Sequence, residues 1–209
     1  MAARRGEYRK SAQRREAILD AAFKVFSQRG YVATSVSEIA REVGMTQPGL
    51  LHHFDGKLAL LQAVLERRDL FALETIGART DIDFLSALVE IAGRNQRERG
   101  VVQLYAILAA EATNRSHPAH EYFERRFRMI VDGTSRAFEQ ARAKGLLRPG
   151  TDPHQAALES TAFAEGLQLL WLQGFDEIDL VEQTRNSINR YLVEPLPVQG
   201  SPLPVAAAL

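Results

Sequence analysis

The segment from residue 36 to residue 54, VSEIAREVGMTQPGLLHHF, restricts the fold more than any other part of the chain. Gly44 divides two short apolar patterns and predicts a turn with a positive φ, which is cheap only for glycine. Ala40 is small enough to let a second helix cross close by. Thr46 is a good N-cap for that helix, and Pro48 fits its first turn. The segment therefore predicts a helix-turn-helix whose second helix would enter a DNA major groove.

An ordinary helical hairpin within a bundle is the alternative to this interpretation, and the charge distribution favours DNA. Residues 1–68 carry 12 Lys/Arg and 7 Asp/Glu, a net charge of +5, whereas the rest of the neutral chain carries −5. A basic third on an acidic body indicates that the N-terminal end meets a polyanion. A nonspecific DNA-packaging protein, in contrast, should be basic overall.

Helical patterns continue through the rest of the chain, so the predicted fold class is all-α. Prolines are confined to apparent boundaries and to the C-terminal end, and few segments alternate with a period of two. The nine predicted helices cover about residues 9–29, 36–43, 47–54, 57–77, 81–99, 101–112, 116–144, 153–173 and 177–193. Since three prolines and no charge follow Glu194, we expect a disordered tail over residues 195–209.

Composition excludes or disfavours several kinds of protein. The chain has no Cys, which excludes disulfides, Cys-ligated metals and thiol catalysis. No stretch approaches the ~20 apolar residues of a membrane span, and no signal-peptide core follows the basic N-terminus, so we expect a cytoplasmic protein. No Gly-rich phosphate loop, nucleophile elbow or paired-carboxylate pattern occurs, so we expect no enzymatic activity.

Residues on both sides of the helix-turn-helix complete a wider pattern. They are Ile18, Ala21, Ala22 and Phe26, then Gly30-Tyr31 and Thr34-Ser35, and finally Phe54-x-x-Lys57. With them, the chain resembles the tetracycline-repressor (TetR) family over about residues 14–65. The resemblance implies a DNA-binding domain at residues 1–56 and an effector-binding and dimerisation domain at residues 57–194. It also implies a homodimer on a palindromic operator in double-stranded DNA, and a small-molecule effector.

The resemblance further implies which residues contact DNA. Gln47 is the best base reader, because its amide can pair bidentately with adenine. Lys57 would contact phosphate, and so would Thr34 and Ser35, which precede the predicted helix at residues 36–43. The implied DNA-binding residues are Thr34, Ser35, Thr46, Gln47, Pro48, Gly49, Leu51, His52, His53 and Lys57. The chain departs from the family at Leu51, where tyrosine is usual, and at Gly49, where Thr or Ser is common, so its operator sequence stays open.

Six basic residues form an N-terminal arm that has two interpretations. They are Arg4, Arg5, Arg9, Lys10, Arg14 and Arg15. A solvated, fraying terminus is one, and contact with phosphates or the minor groove is the other.

Histidine pairs raise the question of a metal site. His117 and His120 have metal-ligand spacing, but the sequence pins no third ligand, so we expect exposed histidines and no metal. His52 and His53 are adjacent in the chain and should point to different sides, which disfavours chelation by both.

The apolar segments 101–112 and 153–173 are candidates for an effector pocket. A packed core and a dimer interface explain most of their residues, whereas the family places a small-molecule site there. Glu165 is the most suggestive residue, since an acid within AFAEGLQLLWL needs a partner or water. The candidate ligand contacts are Tyr105, Glu111, Phe163, Glu165 and Trp171.

We therefore expect a sequence-specific transcriptional regulator, a repressor that a small effector releases from its operator. A regulator without such an effector, or an activator, is the alternative. We expect no cofactor, and we expect the last two helices to form the dimer interface.

Overall fold

The computed structural model describes residues 2–197, without the side chains of residues 2–10 and Phe71, and this part of the chain is all-α. The predicted fold class is therefore confirmed. The nine helices of the described chain are α1 (Ala2–Arg29), α2 (Val36–Glu42), α3 (Gln47–Leu51), α4 (Lys57–Ile76), α5 (Asp81–Arg97), α6 (Arg99–Glu111), α7 (His120–Ala143), α8 (Pro153–Leu172) and α9 (Leu180–Asn189).

The first three helices form the predicted helix-turn-helix and its supporting helix. α1 ends at Arg29 and is followed by Gly30, which has a φ of +72°. The turn between α2 and α3 contains Gly44, with a φ of +70°. Each of the three helices buries one large apolar side chain completely: Phe26 on α1, Ile39 on α2 and Leu50 on α3 are 0% exposed. Because one apolar side chain comes from each helix, the hydrophobic effect fixes α2 and α3 against α1.

The chain divides into two units. Within the described residues, unit 1 comprises the chain up to Glu74 together with Glu98–Arg125, and unit 2 comprises Thr75–Arg97 and the chain from Arg126 onwards. Unit 1 therefore contains α4 and α6 as well as the helix-turn-helix. This division follows packing, so the functional boundary at residues 56 and 57 stays a prediction.

The C-terminal end of the described chain belongs to the core of unit 2. Leu196 is 3% exposed and packs in one cluster with Leu85, Phe138 and Ile188. Its N–H donates to Asn189 Oδ1 at 2.8 Å. The prediction that disorder begins at residue 195 is therefore wrong for residues 195–197, because composition did not reveal this buried leucine. Residues 198–209 lie outside the described part of the chain.

Several helix ends differ from the prediction: α1 begins at Ala2, and α9 covers only Leu180–Asn189. α3 ends at Leu51, and a turn, not helix, covers the residues up to α4. α7 begins at His120, so Ser116 is not its N-cap; the Ser116 hydroxyl instead donates to Asn114 Oδ1 at 2.9 Å within a turn. Among the described helices, none combines the length and apolar character that crossing a membrane requires.

Candidate nucleic-acid interface

α3 presents a short row of accessible side chains above a single apolar anchor. Gln47, Pro48 and His52 are exposed, whereas Leu50 is fully buried beneath them. The Gln47 amide makes no hydrogen bond to another described residue, so both its donor and its acceptor remain available for a base edge. Leu51 is 39% exposed, and its methyl groups could contact only an apolar group such as a thymine methyl.

The N-terminus of α3 is held by its predicted cap. The Thr46 hydroxyl accepts a hydrogen bond from the Gly49 N–H at 3.2 Å. A Cβ added at Gly49 would lie 3.1 Å from that hydroxyl oxygen, so a side chain there would press on the cap. The departure from the family at Gly49 is therefore compatible with a well-capped recognition helix.

The other end of α3 is fastened to α1 by Arg15. Its Nη1 donates to the His53 carbonyl oxygen at 2.9 Å, and its guanidinium lies 4.0 Å from the centre of the Phe54 ring. The rings of His52 and His53 meet edge to face, with centroids 5.6 Å apart. Arg15, which the sequence places in the basic arm, thus positions the end of α3. The side chains of Arg4, Arg5, Arg9 and Lys10 lie outside the described residues.

The cap of α2 is engaged within the protein. Ser35 and Glu38 form a capping box in which the Ser35 N–H donates to the Glu38 carboxylate at 2.8 Å. These bonds from Ser35, with the nearby Arg29 and Arg41 charges, lower the pKa of Glu38 below its ordinary value. Thr34 is only 3% exposed, and its hydroxyl donates to the Gly30 carbonyl at 2.7 Å. Of the two residues, exposed Ser35 is the better placed to meet a phosphate.

Lys57 faces the turn between α1 and α2. Its Nζ donates to the carbonyl oxygens of Tyr31 at 2.8 Å and Thr34 at 2.7 Å. The same ammonium lies 4.2 Å from the centre of the Tyr31 ring. Two of its three protons are therefore used inside the protein, and the third remains for the predicted phosphate contact.

The candidate ligand residues fall in both units. Tyr105 and Glu111 belong to unit 1, whereas Phe163, Glu165 and Trp171 belong to unit 2. The Tyr105 hydroxyl lies 2.9 Å from that of Tyr122 and 3.2 Å from Asp69 Oδ1.

Within unit 2, Glu165 has accessible surface on α8, yet the surrounding protein desolvates its carboxyl group. This desolvation raises the pKa of Glu165, and the positive charge of Arg126 opposes the shift. Trp171 is 9% exposed, and the Arg190 guanidinium lies 5.1 Å from the centre of the Phe163 ring.

His117 differs from the sequence expectation of an exposed histidine. It is 8% exposed, and its ring packs edge-on against Tyr31 with centroids 5.3 Å apart. Its Nε2 lies 3.5 Å from a carboxylate oxygen of Glu111. His120 instead places Nδ1 2.8 Å from the Ala112 carbonyl oxygen. No group of three or more metal-ligating side chains occurs in the described part of the chain.

Comparisons with known proteins agree with this geometry. The family model of bacterial regulatory proteins of the tetR family matches residues 18–64, which contain the whole helix-turn-helix. The chain is 45% identical over 64 residues to the transcriptional activator FasR of Mycolicibacterium smegmatis, a match that covers 31% of this chain and 29% of that protein. It is 26% identical over 186 residues to the transcriptional regulator TtgR of Pseudomonas putida, covering 80% of this chain and 84% of TtgR.

Among solved structures, SmeT, the repressor of the Stenotrophomonas maltophilia multidrug efflux pump SmeDEF, shares the fold. It superposes with a TM-score of 0.68 at 25% identity, over 91% of this chain and 97% of SmeT. The chain matches only 25–40% of the length of three curated relatives that share its DNA-binding segment. The family match therefore rests on the segment that forms the helix-turn-helix, and the fold likeness extends over most of the chain. Residues 18–64, the DNA-binding segment of the chain, belong to the tetR family of bacterial regulatory proteins.

Proposed function

We propose that this chain is a sequence-specific DNA-binding transcriptional regulator. The observation that carries the proposal is the presentation of α3: Gln47 and His52 are exposed, while Leu50 and the Thr46 cap fix the helix from below. A rigid helix with free polar side chains is what base reading in a major groove requires. The basic charge of residues 1–68 supplies the accompanying attraction to phosphates.

Selection of bound DNA from a random pool tests this function. The wild type should enrich one palindromic sequence, since a two-fold symmetric dimer reads two equivalent half-sites. The double variant Gln47→Ala/His52→Ala should lose or change that sequence. The single variant Gln28→Ala is the control, because it removes the same kind of amide from an exposed position on α1. If the wild type enriched no sequence, or if the α3 variant enriched the same one, the proposal would be refuted.

We further propose that the regulator acts as a homodimer through α8 and α9. Four large apolar side chains on and just after α8 are exposed: Leu158 at 41%, Leu169 at 52%, Leu170 at 46% and Phe175 at 47%. An apolar patch of this kind is typical of a protein–protein interface. Two copies of the helix pair could bury it in a four-helix arrangement.

Repression relieved by a small effector is the proposed mode of regulation. It is supported by the likeness over most of the chain to SmeT, which is named a repressor. One form of the protein holds DNA and the other does not. An effector that binds the second form more tightly than the first shifts the population toward it.

A screen of small apolar and amphipathic compounds tests the effector. A cognate compound should raise the melting temperature by mass action and release the selected operator. If no compound did both, a regulator without a small-molecule effector would be favoured. The DNA-binding segment is also similar to that of the activator FasR, so activation of transcription stays the alternative to repression. Transcription from a promoter that contains the selected site would decide between repression and activation.

A further inference from the structure

The carboxylate of Glu111, on α6, binds the turn between α1 and α2, which comprises residues 30–34. Glu111, the last residue of α6, accepts a hydrogen bond from the Tyr31 N–H at 2.7 Å and a longer one from the Val32 N–H at 3.3 Å. Hydrogen bonds to a charged acceptor are among the stronger ones in proteins. One side chain thus ties α6 to the turn that leads directly into the helix-turn-helix, 80 residues away in sequence.

Gly30 leaves the space that this carboxylate occupies. A Cβ added at Gly30 would lie 2.2 Å from Glu111 Oε1 and 2.7 Å from Glu111 Cδ, distances that real Cβ atoms do not show. Gly145 has the same φ of +72°, but a Cβ there would meet nothing within 4 Å. The comparison separates two requirements at Gly30, which are the left-handed backbone and the room for Glu111.

His117 lies next to the Glu111 carboxylate. Its Nδ1 accepts a hydrogen bond from the Ala119 N–H at 3.2 Å, so the proton of the neutral ring is on Nε2. Nε2 is buried, has no hydrogen-bond partner among the described residues, and faces Glu111 Oε2 at 3.5 Å. A small shift would complete this bond, and burial makes an unpaired N–H costly. The ring also contacts Tyr31, the residue that the carboxylate holds.

We propose that Glu111, backed by His117, is a positioning residue for operator binding: it fixes the 30–34 turn and thereby sets the position of α2 and α3. The inference rests on the proposed DNA-binding function and adds a residue that does not touch DNA. The turn transmits the constraint because Thr34 closes it onto Gly30 and Ser35 caps α2. In this assignment Glu111 acts on the helix-turn-helix and does not contact the effector.

Amide hydrogen exchange and DNA titration on the full chain test the proposal together. Glu111→Gln should speed exchange of the Tyr31 and Val32 amides by about tenfold, because about 1.4 kcal/mol of lost protection corresponds to that factor. Its affinity for the selected operator should fall by a similar factor, with a smaller loss on random DNA. Glu139→Gln is the matched control, since it removes the same charge from an exposed position on α7 and should change neither exchange nor affinity.

A second pair of variants keeps the test valid if Glu111→Gln does not fold. Gly30→Ala should displace the intact Glu111 carboxylate and reproduce both effects. Gly145→Ala, with the same backbone conformation and free space, should leave Tyr31 exchange and operator affinity unchanged. Unchanged exchange in Glu111→Gln and Gly30→Ala would overturn the proposal. So would faster exchange with full operator affinity, since the contact would then be structural only. Failure of the DNA-binding function itself is distinct, because the wild type would then select no operator.

Discussion

Lys57 offers a sharp test, because the structure gives it an internal role beside the predicted phosphate contact. Its half-buried ammonium donates to the carbonyl oxygens of Tyr31 and Thr34, at 2.8 and 2.7 Å, and lies over the Tyr31 ring. Lys57→Met keeps most of the aliphatic stem and removes only the charged donor. The substitution should therefore destabilise the fold by leaving two carbonyl oxygens without their donor.

The expected loss follows from the contacts that disappear. A hydrogen bond to a charged group contributes about 1.5–3 kcal/mol, but two bonds from one half-buried ammonium do not add fully. We therefore expect the free energy of unfolding to fall by about 2–4 kcal/mol. For a chain of this size, 1 kcal/mol corresponds to about 2–4 °C, so the melting temperature should fall by roughly 4–16 °C.

Thermal unfolding followed by circular dichroism measures this loss. Lys24→Met is the matched control: Lys24 pairs with Glu42 at the surface, with 58% of its side chain exposed, and such pairs contribute about 0–1 kcal/mol. Equal melting temperatures for Lys57→Met and Lys24→Met would refute the internal role. The phosphate contact of Lys57 is tested separately, by DNA titrations at several salt concentrations below the melting temperature of the variant. Losing it should weaken binding to operator and random DNA alike and lower the salt slope by about one unit per subunit.

Three further outcomes are expected. Gln47→Ala should cost about 1–3 kcal/mol on the selected operator and relax one base pair per half-site, with little effect on random DNA; an equal loss on all sequences in a filter-binding titration would contradict base reading. Gly166→Leu should weaken dimerisation in sedimentation without lowering protomer stability, since a Cβ there meets nothing within 4 Å. Glu165→Gln should raise the melting temperature at neutral pH. The raised pKa of Glu165 makes wild-type stability fall as pH rises from the unfolded to the folded pKa. The gain in melting temperature should vanish below about pH 4, where the Glu165 carboxyl is protonated in both the folded and the unfolded state.

The helix-turn-helix could be predicted from sequence because its determinants are local. Gly44 adopts the positive φ that its turn needs, and Thr46 caps α3 three residues from its hydrogen-bond partner. Ser35 and Glu38 form a capping box over an equally short span. Interactions of this kind depend on neighbours within one helical turn, so residue type and spacing are sufficient to specify them.

The contacts that hold the 30–34 turn could not be predicted in the same way. Glu111 and Lys57 reach it from 80 and 26 residues away, and their sequence neighbourhoods give no sign of the partner. His117 lies next to a proline in a polar stretch, which favours exposure, whereas packing against Tyr31 buries it. Leu196 is similar, since a proline-rich composition predicts disorder and a single apolar side chain fills a core position.

Tyr31 shows how these long-range contacts act together. Its N–H donates to the Glu111 carboxylate, and its carbonyl oxygen accepts from the Lys57 ammonium, so groups of opposite charge hold the two sides of one residue's backbone. Each charge matches the polarity of the backbone group that it meets, so moving the turn away from α4 and α6 would break both hydrogen bonds. The position of the turn is therefore fixed by α4 and α6 together, both of which belong to unit 1. Because α2 begins at Val36, immediately after it, the position of the DNA-facing helices is set by residues that themselves need not contact DNA.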